Sequence, residues 1–312
     1  MTTGKYAKKI AVIGNPGSWS TEIMADAMEE RTGFRCIVDL SSTVFDLGSR
    51  TLFYKDLDLA GLDGLMIKKI GPDYSPDMYN RLEILRFFCA LNKPVFSRPE
   101  MIMQALNRLS CTVNLQIGGI PMPPTVITED VDLAVQAVER FGRAVLKPLF
   151  STKARGMRVV EYGKSCRESV AGFQASGNTT IYIQKMLTIP GRDLGLAFLG
   201  GNYIGTYARR KGHSWSTSTS SGGRYERCEP DKEIIDLAGK AQALFNLDFT
   251  CVDVVETDQG PMVFEVSAFG GFRGLYESRG INAAALYADY ILKHINGEAD
   301  LKNYGQRLFR HA

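Results

Sequence analysis

The chain is short of the residues that announce metal or redox chemistry. Its three histidines, His213, His294 and His311, show no ligand spacing, which argues against a zinc centre. Its six cysteines (36, 89, 111, 166, 228 and 251) form no Cys-x-x-Cys pair. Scattered along 312 residues, they are expected as reduced, mostly buried thiols of a cytoplasmic protein. The opening run MTTGKYAKKIAVIGNPG has basic residues, but Asn15 and Pro16 cut its apolar stretch short, so it lacks a secretory h-region with a cleavage site. No apolar run reaches the roughly 18 residues of a membrane helix, and no membrane partner is expected. A net charge of +3 is too small to point to nucleic acid. Two nucleotide fingerprints are also incomplete. Gly14 and Gly17 do not make a Gly-x-Gly-x-x-Gly, and Gly163-Lys164-Ser165 ends like a P-loop, yet Arg158 stands where the loop needs glycine. What is present is ordinary globular composition, 45% hydrophobic and 23% charged, with length for a sizeable core and two or three subdomains.

The first third alternates strand and helix patterns. Lys9 to Gly14, Cys36 to Leu40, Gly64 to Ile67 and Val95-Phe96 are expected strands; Thr21 to Glu30 and Met78 to Leu91 are expected helices. That alternation predicts a parallel α/β sheet. Met66 to Pro72 ends a strand with Lys68 and Lys69, a basic terminus that suits either the surface or an active-site edge. Glu100 to Leu115 is expected as one helix, Asp231 to Phe245 as another, and Asn282 to His294 as a closing one. Leu196 to Gly205 reads as a hairpin around Gly200-Gly201-Asn202. Arg143 to Glu161 reads as strand, loop, strand, with Lys147 ending the apolar strand Ala144-Val145-Leu146. A lysine buried there is costly unless it meets an anion.

Cys251 to Gly274 carries the most chemistry. Its valines and the turn Thr257-Asp258-Gln259-Gly260 predict two strands. If the hairpin is symmetric about Gln259, Asp253 stands directly opposite Glu265. Directly opposed Cβ atoms lie about 4.5–5.5 Å apart and like charges there repel. A hard cation between the carboxylates converts that repulsion into binding, and Mg²⁺ takes one or two carboxylates with water and phosphate completing its shell. The same spacing is also that of a surface hairpin with two solvated acids.

The run Val252 to Leu275, VDVVETDQGPMVFEVSAFGGFRGL, resembles the metal-binding end of an ATP-grasp ligase, in the branch of the ribosomal-protein glutamate ligase and the methanogen cofactor glutamate ligases. Its SAFGGFRGL ending is also similar to that of the ATP-grasp proteins of the GAK gene system. The family pattern is Asp, Glu twelve residues on, and Asn two further; here these are Asp253, Glu265 and Ser267. The serine is shorter but keeps an oxygen ligand. The resemblance extends from about Met66 to Ile295, and it implies roles for further residues in order. Arg108 stands where the family has a lysine that reaches the nucleotide phosphates, and Arg forks onto phosphate oxygens. Lys147 meets the α- and β-phosphates. The loop Ser151 to Gly156, with Lys153 and Arg155, folds over the triphosphate. The connector Gln184-Lys185-Met186-Leu187 reads the adenine edge. Asp193 lies near ribose and substrate, and Arg209 lies against the transferring phosphate, with Arg210 on the opposite strand face. Ser214 to Gly223, carrying Ser216, Thr217 and Ser218, matches the loop beside nucleotide and acceptor, although its composition is also that of a mobile linker. Arg273, beside Gly270 and Gly271, is a candidate clamp for a substrate carboxylate on chemical grounds.

The implied architecture is the ATP-grasp fold, α/β and α+β. It has an amino-terminal parallel α/β domain (1–98), a central lid subdomain (99–183) and a carboxy-terminal subdomain with the metal site (184–312). The implied reaction joins a carboxylate, through an acylphosphate, to an amine, using ATP and Mg²⁺ with Mn²⁺ as an alternative. The partners are then a small-molecule or peptide carboxylate and an amine acceptor, with a homo-oligomer compatible. Two rivals remain: an ATP-binding regulatory protein without turnover, and a phosphotransferase on the same fold.

Overall fold

The computed structural model describes residues 8–212, 215–217 and 222–298. Contacts divide the chain into two compact units. One contains 1–72, 81–99 and 282–312; the other contains 73–80 and 100–281.

In the first unit the expected parallel sheet forms from β1 (Ile10–Ile13), β2 (Ile37–Val38), β6 (Gly64–Ile67) and β7 (Val95–Phe96), in the order β2-β1-β6-β7. β1 and β6 are buried along their whole length, which explains their uninterrupted apolar sequence. Helix α1 (Trp19–Thr32) and the body of α2 (Asp77–Ala90) belong to this unit. Between β2 and β6 lies a small antiparallel sheet that the pattern did not announce: β3 (Thr43–Asp46), β4 (Thr51–Tyr54) and β5 (Leu57–Asp58). Its first turn is made by Asp46, whose side chain accepts the N–H groups of Gly48 and Ser49. Lys68, at the end of β6, is buried rather than solvated.

The second unit holds two antiparallel sheets. α3 (Pro99–Leu106) and α4 (Arg108–Ile117) lead in, followed by β8 (Thr125–Thr128), α5 (Val131–Phe141), β9 (Arg143–Lys147), β10 (Arg158–Glu161), α6 (Cys166–Ala175) and β11 (Ile181–Lys185), with sheet order β10-β9-β11-β8. The apolar faces of α5 and α6 pack on this sheet through Val138, Leu146, Val170, Phe173 and Ile183. The other sheet has the order β14-β13-β12-β15-β16, from β12 (Arg192–Leu199), β13 (Asn202–Arg210), β14 (Arg224–Arg227), β15 (Phe249–Thr257) and β16 (Gly260–Val266), with α7 (Lys232–Ala243) against it and α8 (Arg273–Arg279) beyond. The β12–β13 turn has φ of 56° at Gly200 and 82° at Gly201, the left-handed pair a two-residue hairpin loop requires.

Two expectations change. The single helix Glu100 to Leu115 is two, because Asn107 is extended and its side chain accepts the N–H groups of Leu109 and Ser110, capping a new helix. The closing helix α9 (Ala283–Ile295), placed by the sequence reading in the carboxy-terminal subdomain, belongs to the first unit. Its apolar stripe of Ala284, Tyr287, Ala288 and Ile291 is buried, the Tyr287 hydroxyl donates to the Phe96 carbonyl at 2.6 Å, and Arg31 of α1 pairs with Asp289. Among the described residues no helix is long and apolar enough to cross a membrane.

Candidate active site

Asp253 and Glu265 are directly opposed, but not through a symmetric turn. Thr257 pairs with Gly260, so the loop is only Asp258-Gln259, and that register alone would set Phe264 against Asp253. A β-bulge between Asp253 and Val254 makes Phe264 the extra residue and restores the opposition. Val263 and Val266 are buried while Phe264 and Glu265 are both half-buried, so the bulge turns these two toward the same open face. The Asp253 side chain is 13% exposed and that of Glu265 40%.

Capping by Asn107 sets Arg108 at the first position of α4, where its N–H donates to the Leu149 carbonyl at 3.0 Å. Its guanidinium then spans the site. Nη1 donates to Glu265 Oε2 at 3.1 Å, Nε to the Pro148 carbonyl at 3.1 Å and Nη2 to Ser151 Oγ at 3.3 Å. The loop that follows β9 is thereby tied to the carboxylate pair.

Lys147 ends β9 as expected and is buried. Its Nζ donates to Gln184 Oε1 at 2.5 Å and lies 5.1 Å from the centre of the Phe264 ring. Burial, followed by the positive charge of Arg108, pushes the ammonium down to about 7. Glu265 and Asp253 attract the ammonium but do not offset that cost. Gln184, expected to act through its backbone, instead presents its side chain, which also donates to Thr125 Oγ1.

On the other side of Asp253, Arg209 donates to both oxygens of Asp193, at 2.9 and 2.7 Å, and lies 2.8 Å from Asp253 Oδ2. Burial opposes the charge of Arg209, but Asp253 and Asp193 outweigh it and raise its pKa. Burial likewise raises the Asp253 carboxyl to about 7, with Glu265 and Asp193 adding to the effect and Arg209 opposing it. Asp193, expected beside ribose, is 7% exposed at its side chain with both oxygens on Arg209, which makes it the residue that aims the arginine. Arg210 lies on the opposite face and pairs with Glu226, as strand alternation requires.

The remaining candidates are more dispersed. Lys153 is exposed, and both it and Ala154 are left-handed, with φ of 56° and 59°, a conformation that is unfavourable for residues other than glycine. Arg155 faces Asp73 at 3.8 Å. In the connector, the N–H groups of Lys185 and Met186 are already bonded to the carbonyls of Pro124 and Arg143, and among the described residues that of Leu187 makes no backbone bond. Ser216 and Thr217 are half-buried. Ser218 lies outside the described residues, as does half of the expected loop Ser214 to Gly223. Ser267 follows the bulge, its N–H bonded to the Cys251 carbonyl and its own carbonyl accepting from Thr250.

Arg273 opens α8, half-exposed and 3.7 Å from Glu277. Two of the glycines around it are tightly packed. A Cβ on Gly270 would lie 2.8 Å from the Thr250 backbone, and one on Gly274, just after Arg273, would lie 2.4 Å from the Tyr207 ring, whereas Gly271 has ordinary space. Gly274→Ala is therefore expected to destabilise the protein by about 1–3 kcal/mol through overpacking, read as a lower urea midpoint; an unchanged midpoint would mean that α8 is free to shift.

One residue at the site had no signal in the sequence. Tyr74 packs edge-on against Phe269, with ring centroids 6.1 Å apart. Its phenol is raised by burial and further by the charge of Glu265. It sits in an irregular Pro-Asp-Tyr-Ser-Pro segment where no periodicity operates.

The donor set suits a hard divalent cation. The opposed carboxylates of Asp253 and Glu265 offer oxygen only, and among the described residues no group of three or more His, Cys, Asp or Glu is arranged to hold a metal. Such a partial set leaves positions for phosphate and water, as Mg²⁺ requires. A buried lysine, arginines on either side of a carboxylate pair and the loop after β9 converge on one site. A comparison with protein-family models matches residues 105–291 to the RimK-like ATP-grasp domain. The chain belongs to that family, and it is an ATP-dependent ligase of the carboxylate–amine type. The tetrahydromethanopterin:alpha-L-glutamate ligase of Methanosarcina acetivorans is 28% identical over 323 residues, covering 92% of this chain and 98% of the relative. The ribosomal protein bS6–L-glutamate ligase of Escherichia fergusonii is 25% identical over 305 residues, covering 95% and 100%. The solved structure of the ATP-grasp ligase PsnB, complexed with a phosphomimetic variant of minimal precursor, Mg and ADP, has the same fold, with a TM-score of 0.72 at 16% identity over 93% of this chain and 99% of that one.

Proposed function

We propose that this ligase adds an acidic α-amino acid, L-glutamate, through its amine to a carboxylate of a small-molecule or peptide substrate. The observation that supports this reading is the Asp253–Glu265 pair flanked by Arg108 and Arg209, beside the buried Lys147. The relatives named above, both glutamate ligases, favour the choice of amine. In the first step a substrate carboxylate oxygen attacks the γ-phosphorus of ATP, the bond to the β–γ bridging oxygen breaks, and ADP leaves. The amine nitrogen then attacks the acyl carbon, phosphate departs and the amine proton passes to solvent. Asp253, Glu265 and the Ser267 hydroxyl would hold Mg²⁺, with Mn²⁺ as an alternative, which neutralises phosphate charge when bound.

The protein's own residues bind and position. Lys147 takes the α- and β-phosphates, and the anion restores its full charge. Arg108 orients Glu265 and holds the capping loop through Ser151; Lys153 rides on that loop. Arg209, aimed by Asp193, faces the phosphoryl group in transfer. Leu187 offers its N–H to the adenine edge, next to Gln184, Lys185 and Met186. Ser216 and Thr217 lie beside nucleotide and acceptor, and Arg273 clamps the donor carboxylate. The test is ADP release with L-glutamate and a panel of carboxylic acids, followed by product mass. A glutamyl adduct is expected. A phosphate adduct would make the protein a phosphotransferase, and ATP binding without ADP release would leave a regulatory protein.

A further inference from the structure

On the Glu265 side of the site an open cavity of about 530 Å³ lies between the segment Asp73-Tyr74 and the loop after β9. Its size is that of a small-ligand pocket. Two guanidiniums, Arg155 and Arg158, and one carboxylate, Asp73, line it, together with Ser151, Asn178 and the Tyr74 ring. The cavity abuts the catalytic groups at two points. Ser151 Oγ, in its wall, accepts from the same Arg108 guanidinium that holds Glu265. Tyr74 packs on Phe269, four residues after Glu265. The charges are also available for exchange. Arg155 and Asp73 meet only at 3.8 Å, with side chains 64% and 79% exposed, a pair that contributes little on its own. Arg158 makes a weak 3.4 Å contact to Ser176 Oγ and lies over the Phe173 ring.

We propose that this cavity is the binding site of the amine acceptor, with Arg155 and Arg158 holding its two carboxylates and Asp73 its ammonium. An acidic amino acid carries two carboxylates and one ammonium, the charge-by-charge complement of the lining. Arg155 trades its exposed partner for a ligand carboxylate while Asp73 gains the ammonium, so no charge in the cavity is left without a counterion. The inference rests on the reading of the reaction as addition of an acidic amino acid, and it goes further by naming the residues that recognise it.

The test measures binding of radiolabelled L-glutamate by equilibrium dialysis with Mg-ADP present, for the wild type, Arg158→Gln and Arg155→Gln. Both positions are exposed, one on an edge strand and one on a loop, so the variants are expected to fold. Each is expected to weaken L-glutamate binding at least about tenfold, the loss of one charge-assisted contact, and Arg158→Gln to leave the KM for ATP within about twofold. No L-glutamate binding by the wild type, or affinity unchanged in both variants, overturns the proposal. So does a raised KM for ATP in Arg155→Gln with unchanged L-glutamate affinity, because it puts Arg155 on the nucleotide. ADP release is measured in parallel. Arginine-dependent binding without L-glutamate-dependent ADP release would remove the proposed reaction and leave the site standing.

Discussion

Glu265→Gln is expected to lower Mg²⁺-dependent ATP turnover by about a thousandfold or more, equivalent to about 4 kcal/mol of transition-state stabilisation. Gln keeps the length of the side chain and an oxygen that still accepts from Arg108, so the hydrogen bond at 3.1 Å survives the change. What it removes is one of the two negative charges opposed across the hairpin. A neutral amide is a poor ligand for a hard cation, and the remaining carboxylate, Asp253, is already shared with Arg209. The thermal unfolding midpoint should stay within a few degrees of wild type, because Glu265 is half-buried and the amide keeps the bond from Arg108. Turnover near wild type in a folded Glu265→Gln protein would falsify the assignment of the metal site to this pair.

Lys147→Met is expected to do two opposite things. Affinity for ATP should fall by about ten- to a hundredfold, the loss of a charge-assisted contact of about 1.5–3 kcal/mol. The ligand-free protein should nevertheless become more stable at neutral pH, because methionine fills the volume without an unmatched charge. The pH dependence separates the two effects. Lys147 has a pKa of about 7 in the folded chain against an ordinary value of 10.5, owing to burial and then to Arg108, with Glu265 and Asp253 opposing. Between those values the unfolded chain binds more protons than the folded one, so this residue makes stability rise with pH from about 7 to 10. Below pH 7 it imposes its full cost, at most about 5 kcal/mol. Lys147→Met should flatten that part of the stability curve. In the wild type, ATP restores the ammonium, so binding near pH 8 takes up a proton, measurable by calorimetry in buffers of different ionisation enthalpy. No proton uptake, together with unchanged ATP affinity in the variant, would place Lys147 away from the triphosphate.

The site combines residues of very different visibility in the sequence. Asp253 and Glu265 could be paired on paper because a hairpin is local and its turn chemistry stands between them. The route was nonetheless different: a two-residue loop displaced the register and a bulge at Phe264 restored it. A bulge inserts one residue without a composition of its own, so alternation alone could not show that Phe264 and Glu265 share a face. The break at Asn107 is similar. A helix periodicity runs through it, and only the cap hydrogen bonds reveal that Arg108 begins a new helix aimed at Glu265, 157 residues away. The resemblance to a known family supplied Arg108, Lys147, Asp193 and Arg209, but not their partners.

The parallel sheet of the first unit, the hairpins and the apolar helix faces were legible in the amino-acid sequence alone. All of these are written in patterns that repeat within a few residues: continuous burial, alternation, the 3.6-residue stripe and left-handed turns. Tertiary structure decided that Asp193 serves Arg209, that Gln184 meets Lys147 through its side chain, that α9 returns to the first unit, and that Tyr74 packs on Phe269 within the field of Glu265. Those outcomes depend on which buried charge finds which counterion and which apolar stripe finds which surface. The pairings form between segments far apart in the chain, where local periodicity carries no information and only packing, desolvation and charge balance choose among the partners.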